Sequence, residues 1–179
     1  QNGPKSAVWR WDADKGVEML GVASLFEPLV PNTELTAFDL QMPFIYWNDF
    51  TYEGLVRFRG RPAHVLLLRP PADFAAKHPA LTAVRVRLDT QFNALVQTEL
   101  IGPNGAVAKT ISLVDLKKID EQWIPKTFDV RDETSRNKTR LSVTAAALGL
   151  EFSRALFEPA RLSDEIQPPA GERLEHLTP

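Results

Sequence analysis

Residues 82–130 run TAVRVRLDTQFNALVQTELIGPNGAVAKTISLVDLKKIDEQWIPKTFDV. Val84, Val86 and Leu88 alternate with Arg85 and Arg87, which is the period of two of a half-buried strand. Turn-type residues over 89–93 lead to a second run over 94–101. Gly102-Pro103-Asn104-Gly105 follows, and Asn-Gly supplies the positive φ that tight hairpins need. A third run, 106–116, passes through 117–122 into a fourth, 123–130. Connections this short join antiparallel neighbours, because a parallel crossover takes about a dozen residues or more. The stretch predicts a four-stranded antiparallel meander.

Upstream, 52–59 and 63–69 flank Gly60-Arg61-Pro62 and read as a hairpin. Its second arm is continuously apolar over 65–68, as in a strand covered on both faces. Pro70-Pro71 ends that strand, and Asp73 is placed to cap a short helix through Lys77, which must stop near His78 because Pro79 follows. The segment 44–50, FIYWNDF, is the most aromatic of the chain and packs either on the sheet or against something bound there. Thr36 is a helix N-cap for 37–42, which Pro43 limits. Residues 25–32, with Pro28 and Pro31, form a loop or crossing segment. Near the start, 7–11 and 17–20 read as paired strands around a turn at 12–16. Trp9 and Trp11 on one strand face read as core or cross-strand packing before they read as a binding platform. Residues 1–5 are a polar leading loop.

Downstream, 132–138 is a solvated charged loop and 139–147 alternates Leu141, Val143 and Ala145 with Ser142 and Thr144 as a further strand. Residues 151–157 form a short helix or last strand anchored by Phe152, Leu156 and Phe157. Beyond Leu162 the chain is rich in proline and acids, as in a mobile or draped tail. The division is therefore a single domain over 1–162 and a tail over 163–179.

At 179 residues the chain can bury one sizeable core. A formal net charge of −2 supplies no basic field to draw in nucleic acid, and no run of apolar residues is long enough to span a membrane as a helix. The absence of cysteine removes disulfides and thiolate chemistry together. These residues contain no signal peptide, although Gln1 is compatible with the end left by its cleavage. There is no GxSxG, HExxH, Walker loop or GxGxxG, so no cofactor and no catalytic residue is assigned. Three scattered histidines offer no metal site. Arg57, Arg59, Arg61 and Arg69 cluster on one hairpin. They could grip an anionic group, but cations guarding a sheet edge read more readily.

From Asp39 to Leu162 the order of features resembles the LolA-like group of outer-membrane lipoprotein-sorting proteins. The resemblance rests on Phe38-Asp39-Leu40 before the aromatic segment, then Gly60-Arg61-Pro62 leading into VLLL, VRVRLDTQFNALVQTEL, a glycine turn, a Lys-Thr strand and the Trp123-Ile124-Pro125 start of the next strand. It covers roughly the last two thirds of the chain. It implies a mainly β (α+β) fold in which a strongly curved antiparallel sheet forms an incomplete barrel, with short helices covering the open side. It further implies a periplasmic, non-enzymatic carrier whose apolar concave face shields the acyl chains of a lipid or lipidated protein. The family has further strands ahead of the point where this chain begins its Trp9 strand, so a truncated half-barrel could dimerise. The arginine with which the family contacts its ligand has no assignable counterpart here.

If the strand phases hold, Val84, Val86, Leu88, Val96, Leu100, Ile111, Phe128, Leu141 and Val143 face inward, each as core residue or ligand contact. Phe44, Tyr46, Trp47 and Phe50 form a lid over them or fill the concavity themselves. In the second case the protein is a structural or interaction domain with no lipid ligand. An enzyme on this scaffold lacks a visible nucleophile and base.

Overall fold

The computed structural model describes residues 7–167 and 169–177; the expected leading loop over 1–5 lies outside them. The chain opens with a hairpin of β1 (Trp9–Asp12) and β2 (Gly16–Met19), followed by the short helix α1 (Ala37–Gln41). Next come β3 (Asp49–Phe58), β4 (Arg61–Arg69), the helix α2 (Ala72–Lys77), β5 (Ala83–Asp89) and β6 (Leu95–Ile101). The longest strands follow, β7 (Val107–Ile119) and β8 (Gln122–Asp132), then β9 (Lys138–Ser142). Strands β3 to β9 form one seven-stranded antiparallel sheet in sequential order. The meander over 82–130 is its central part.

Sequential order follows from tight turns. Arg59 and Gly60 both have positive φ (49° and 84°) and close β3 onto β4 with Phe58 opposite Arg61, the geometry that matches strand twist in a two-residue hairpin. The β7–β8 connection is tighter than expected, since Ile119 pairs with Gln122. Register shifts occur between Tyr52 and Gly54, at Arg87/Leu88, at Leu100/Ile101 and twice between Leu113 and Leu116. Each such bulge bends and twists its strand. The sheet curls without closing, giving an open half-barrel with few short helices.

The helices lie on one face of that sheet. Thr36 caps α1 through a capping box: its hydroxyl accepts the Asp39 N–H, and Asp39 Oδ2 accepts the Thr36 N–H at 2.9 Å. Met42 in the left-handed conformation then ends the helix ahead of Pro43. This turn drives Phe38 into the sheet. Phe38, Phe44 and Trp47 pack on Leu68, Val84, Val86 and Leu100, with Phe26 stacked on Phe38 at 4.7 Å. Helix α2 ends at His78 as expected, but its N-cap is Pro71 and no side chain caps it.

Other expectations change at the C-terminal side. The run 139–147 is not one strand: β9 stops at Ser142, and β10 (Ala145–Ala146) pairs instead with β11 (Glu175–His176). The Val143 N–H still bonds the Lys126 carbonyl, after which the chain leaves the sheet. Leu177 is buried and donates its N–H to the Thr144 carbonyl, so the end of the acidic segment is tied back to the fold. Phe152 and Phe157 do not anchor the 3₁₀ turn Arg154–Phe157; they are exposed and meet only edge to face, 6.2 Å apart. Trp11 is likewise exposed rather than packed.

At the β5–β6 turn, buried Asp89 receives both nitrogens of the Arg61 fork (2.6 and 3.1 Å) and the N–H groups of Gln91 and Phe92 (2.9 Å each). These donors, Arg61 foremost, hold its carboxyl at about 2 against an ordinary 3.8. A depressed folded-state value adds stability that is complete above the unfolded pKa and lost as pH falls through the folded one. On the order of 2 kcal/mol should therefore disappear between about pH 4 and pH 2. Urea titrations at both pH values should show this step in the parent protein and a smaller one in Asp89→Asn.

Candidate ligand site

Between α1 and the far half of the sheet lies a cavity of about 170 Å³. Its sheet wall is built by the period of two: Ile111 and Leu113 on β7 and Phe128 and Val130 on β8 point the same way. Register sets them side by side, Ile111 with Val130 and Leu113 with Phe128, and Phe128 in turn with Leu141 of β9. Leu95 and Thr98 close the β6 side. The opposite wall is Leu35, Asp39, Leu40 and Met42, all within or beside the capped turn. Leu40 is also 55% exposed, so it stands between the cavity and solvent.

The polar residues of this mostly apolar lining are Asp39, Gln97 and Thr98. The Asp39 side chain is 2% exposed and pairs through Oδ2 with Lys109 Nζ at 2.8 Å, while Lys109 also donates to the Glu34 carbonyl at 2.7 Å. The pair ties α1 to β7. Asp39 Oδ1 is buried and has no hydrogen-bond partner among the described residues.

Of the residues singled out in the sequence, Ile111, Phe128 and Leu141 meet in this cavity. Val84, Val86 and Leu100 are on the same sheet face but lie under Phe38, Phe44 and Trp47, at 0 to 5% exposure. Leu88 pairs with Leu95 at the end of β5. Val96 falls at the Arg87/Leu88 register shift and lines a separate cavity of about 290 Å³ with Phe58, Phe92 and Trp123. Val143 lies beyond the end of β9. In the aromatic segment Phe44 and Trp47 are buried, whereas Tyr46 and Phe50 are about half exposed. Sequence reasoning missed Leu113 and Val130, although each is the i+2 neighbour of a residue it named. It also missed Asp39, whose signal was the Thr36-x-x-Asp39 capping box. Lys109 carried no local signal.

The hairpin arginines each have partners. Arg61 forks onto Asp89 and covers the Phe92 ring at 4.5 Å, and Arg59 donates to the Leu113 carbonyl at 2.6 Å. Arg69 reaches Thr51 and Asp49, and Arg57 the Gly60 carbonyl. A third cavity, about 400 Å³, separates Val8 and Leu20 from α2. His78 on its wall packs between Phe26 and Phe74, and burial, with Lys77 adding to it, pushes the imidazole below its ordinary value toward the neutral form. Among the described residues no group of three or more His, Cys, Asp or Glu is placed to hold a metal, and no helix is long and apolar enough to cross a membrane.

An open antiparallel half-barrel with a few short helices is the LolA-like fold. A domain from Vibrio parahaemolyticus described as sorting outer membrane lipoproteins superposes with a TM-score of 0.63 at 19% identity, over 76% of this chain and 57% of that one. A DUF1329 family protein from Desulfovibrio piger gives 0.66 at 16% identity, over 88% and 66%. A LolA superfamily protein from Nitrosomonas europaea gives 0.54 at 14% identity, over 75% and 58%. The chain thus spans 57 to 66% of the length of these solved chains. No curated protein matches it. A family model with the description "Uncharacterized protein" matches residues 30–164, and the chain belongs to that family.

Proposed function

We propose that this protein is a non-enzymatic carrier of the bacterial periplasm that holds an acyl chain of a lipid or lipidated protein between α1 and strands β6 to β9. The observation that carries the reading is the cavity of about 170 Å³ walled almost entirely by hydrocarbon. Its size is close to that of the ~150 Å³ apolar cavities that stay dry and take up benzene. Each methylene buried there gains about 0.8 kcal/mol. Ile111, Phe128 and Leu141 are the proposed ligand contacts. Phe44 and Trp47 are the anchored part of a lid whose outer part is Tyr46 and Phe50, and half-exposed Leu40 is the side chain that moves to admit a longer chain.

The second reading is an interaction domain whose concave face is filled by its own side chains. It is favoured by Phe38, Phe44 and Trp47, which already occupy the half of that face over Leu68, Val84, Val86 and Leu100. Native mass spectrometry of protein purified from a bacterial periplasm, followed by organic extraction, separates the two. The carrier should leave with near-stoichiometric phospholipid or acylated peptide, and Leu141→Trp, which fills the cavity, should reduce retention at least about tenfold. A clean mass with no uptake of added lipid would favour the interaction domain.

A further inference from the structure

We propose that the cavity of about 290 Å³ beside Trp123 is a second binding site, for a small organic monoanion: a carboxylate on an aromatic or branched apolar body. The proposal goes beyond the carrier reading and uses none of its acyl contacts. Unequal strand lengths make the space. Strand β5 stops at Asp89 and β6 resumes at Leu95, whereas β3–β4 stay paired out to Phe58 and Arg61, and β7–β8 out to Ile119 and Gln122. Two hairpin arms therefore outrun the turn between them. Phe58, Arg59, Val114 and Trp123 of the arms line the cavity together with Phe92 of the turn. Ala63 and Asp89, paired across β4 and β5, have the phase opposite to that of Val84 and Val86, so the site faces away from the helical cap. The Phe92 and Trp123 rings meet at 5.3 Å, yet Trp123 and Val114 remain 50% and 42% exposed, apolar surface that an occupant covers. A concave space with three rings and few polar groups has the make-up of a small-molecule pocket. At roughly twice the size of a cavity that takes benzene, it admits a body of about ten heavy atoms.

The charges on its lining settle the sign of the ligand. They are Arg59, Arg61, Asp89 and Asp115. Arg61 forks onto Asp89, and Lys126 stands 3.8 Å from Asp115, so both carboxylates are offset. Arg59 is the charge left over. Its Nη1 donates to the Leu113 carbonyl at 2.6 Å and its guanidinium lies 5.1 Å from the centre of the Phe58 ring. The bond to Leu113 runs from the tip of one arm to a strand of the other, which lays the guanidinium across the cleft. Arg59 is exposed, so its remaining N–H donors are open to a ligand. A carboxylate matches that fork. An ammonium adds to its charge, and a neutral body leaves it unmatched.

The test is a titration of methyl-labelled protein at low ionic strength, read at the Val96, Val114 and Leu116 signals. The probes are 3-phenylpropanoate, its neutral isostere 3-phenylpropanamide and 3-phenylpropylamine. The carboxylate should bind about tenfold tighter than the amide, the amine weakest, and added salt should narrow the gap. Arg59→Gln keeps a donor for the Leu113 carbonyl and removes the charge, so it should bring the carboxylate down to the level of the amide. Trp123→Ala should weaken both probes alike. Amide binding equal to or tighter than carboxylate binding in the parent protein overturns the proposal, as does a carboxylate preference that survives Arg59→Gln. Absence of shifts at Val96, Val114 and Leu116 overturns it as well. The Ile111 and Leu141 methyls report the acyl cavity separately, so shifts confined to them overturn the second site and leave the carrier reading standing. If Arg59→Gln does not fold, the comparison of the probes in the parent protein, with its salt dependence, decides alone.

Discussion

Phe38→Ala should lower the unfolding free energy by about 3–5 kcal/mol. The ring is fully buried and is the hub of the helical cap, with ring centroids of Phe26, Phe44, Trp47 and Phe74 at 4.7, 5.9, 6.4 and 6.1 Å. Its neighbours are held by separate elements: Phe74 by α2, Trp47 by the chain entering β3, and Val84 and Val86 by the centre of the sheet. They cannot all close on one space, so most of the cavity persists and the cost falls toward the upper part of that range. Against a typical total of about 5–15 kcal/mol the loss is severe. Urea unfolding followed by tryptophan fluorescence measures it. A loss below about 1 kcal/mol would mean that the cap repacks freely and is not part of the cooperative unit. Asp39 and Leu40 follow Phe38 on the same turn, so a loosened cap should also open the cavity.

The meander was legible because three independent local signals agreed: alternation in VRVRL, the Gly-Pro-Asn-Gly turn and connections too short for crossovers. The start of α1 was legible from Thr36. What alternation cannot tell is which inward residue lies beneath a helix. Val84 and Ile111 have the same phase and face the same side of the sheet, yet one is sealed under Phe38 and Phe44 and the other walls an open space. That difference is set by where α1 and the turn after it dock, which is a long-range matter. Bulges broke the phase elsewhere. A period of two shared with Leu100 put Val96 inward, but the register shift beside it sends Val96 to another cavity. Val143 was lost for a different reason, since β9 ends before it. The two-residue ladder of β10 with β11 is too short to leave any pattern. The Asp39–Lys109 pair joins residues 70 positions apart and is invisible to any window.

Lys109→Met should cost about 3–5 kcal/mol, because it leaves the Asp39 carboxylate buried with only the Thr36 N–H. Screening does not rescue it: the pair is at 13% and 2% side-chain exposure, so the loss should be nearly independent of salt, unlike that of an exposed pair such as Lys118–Glu121. The double variant Lys109→Met with Asp39→Leu removes both charges and replaces them with hydrocarbon of similar bulk. It should recover most of the loss, short of about 1 kcal/mol for the broken capping box. Urea titrations of the parent, both single variants and the double variant form the cycle that isolates the coupling. A small cost for Lys109→Met alone would show that water reaches Asp39 and that the pair does not hold α1 to β7. If the double variant is nearly as stable as the parent, the pair contributes little net stability, as buried ion pairs replaced by hydrocarbon commonly do.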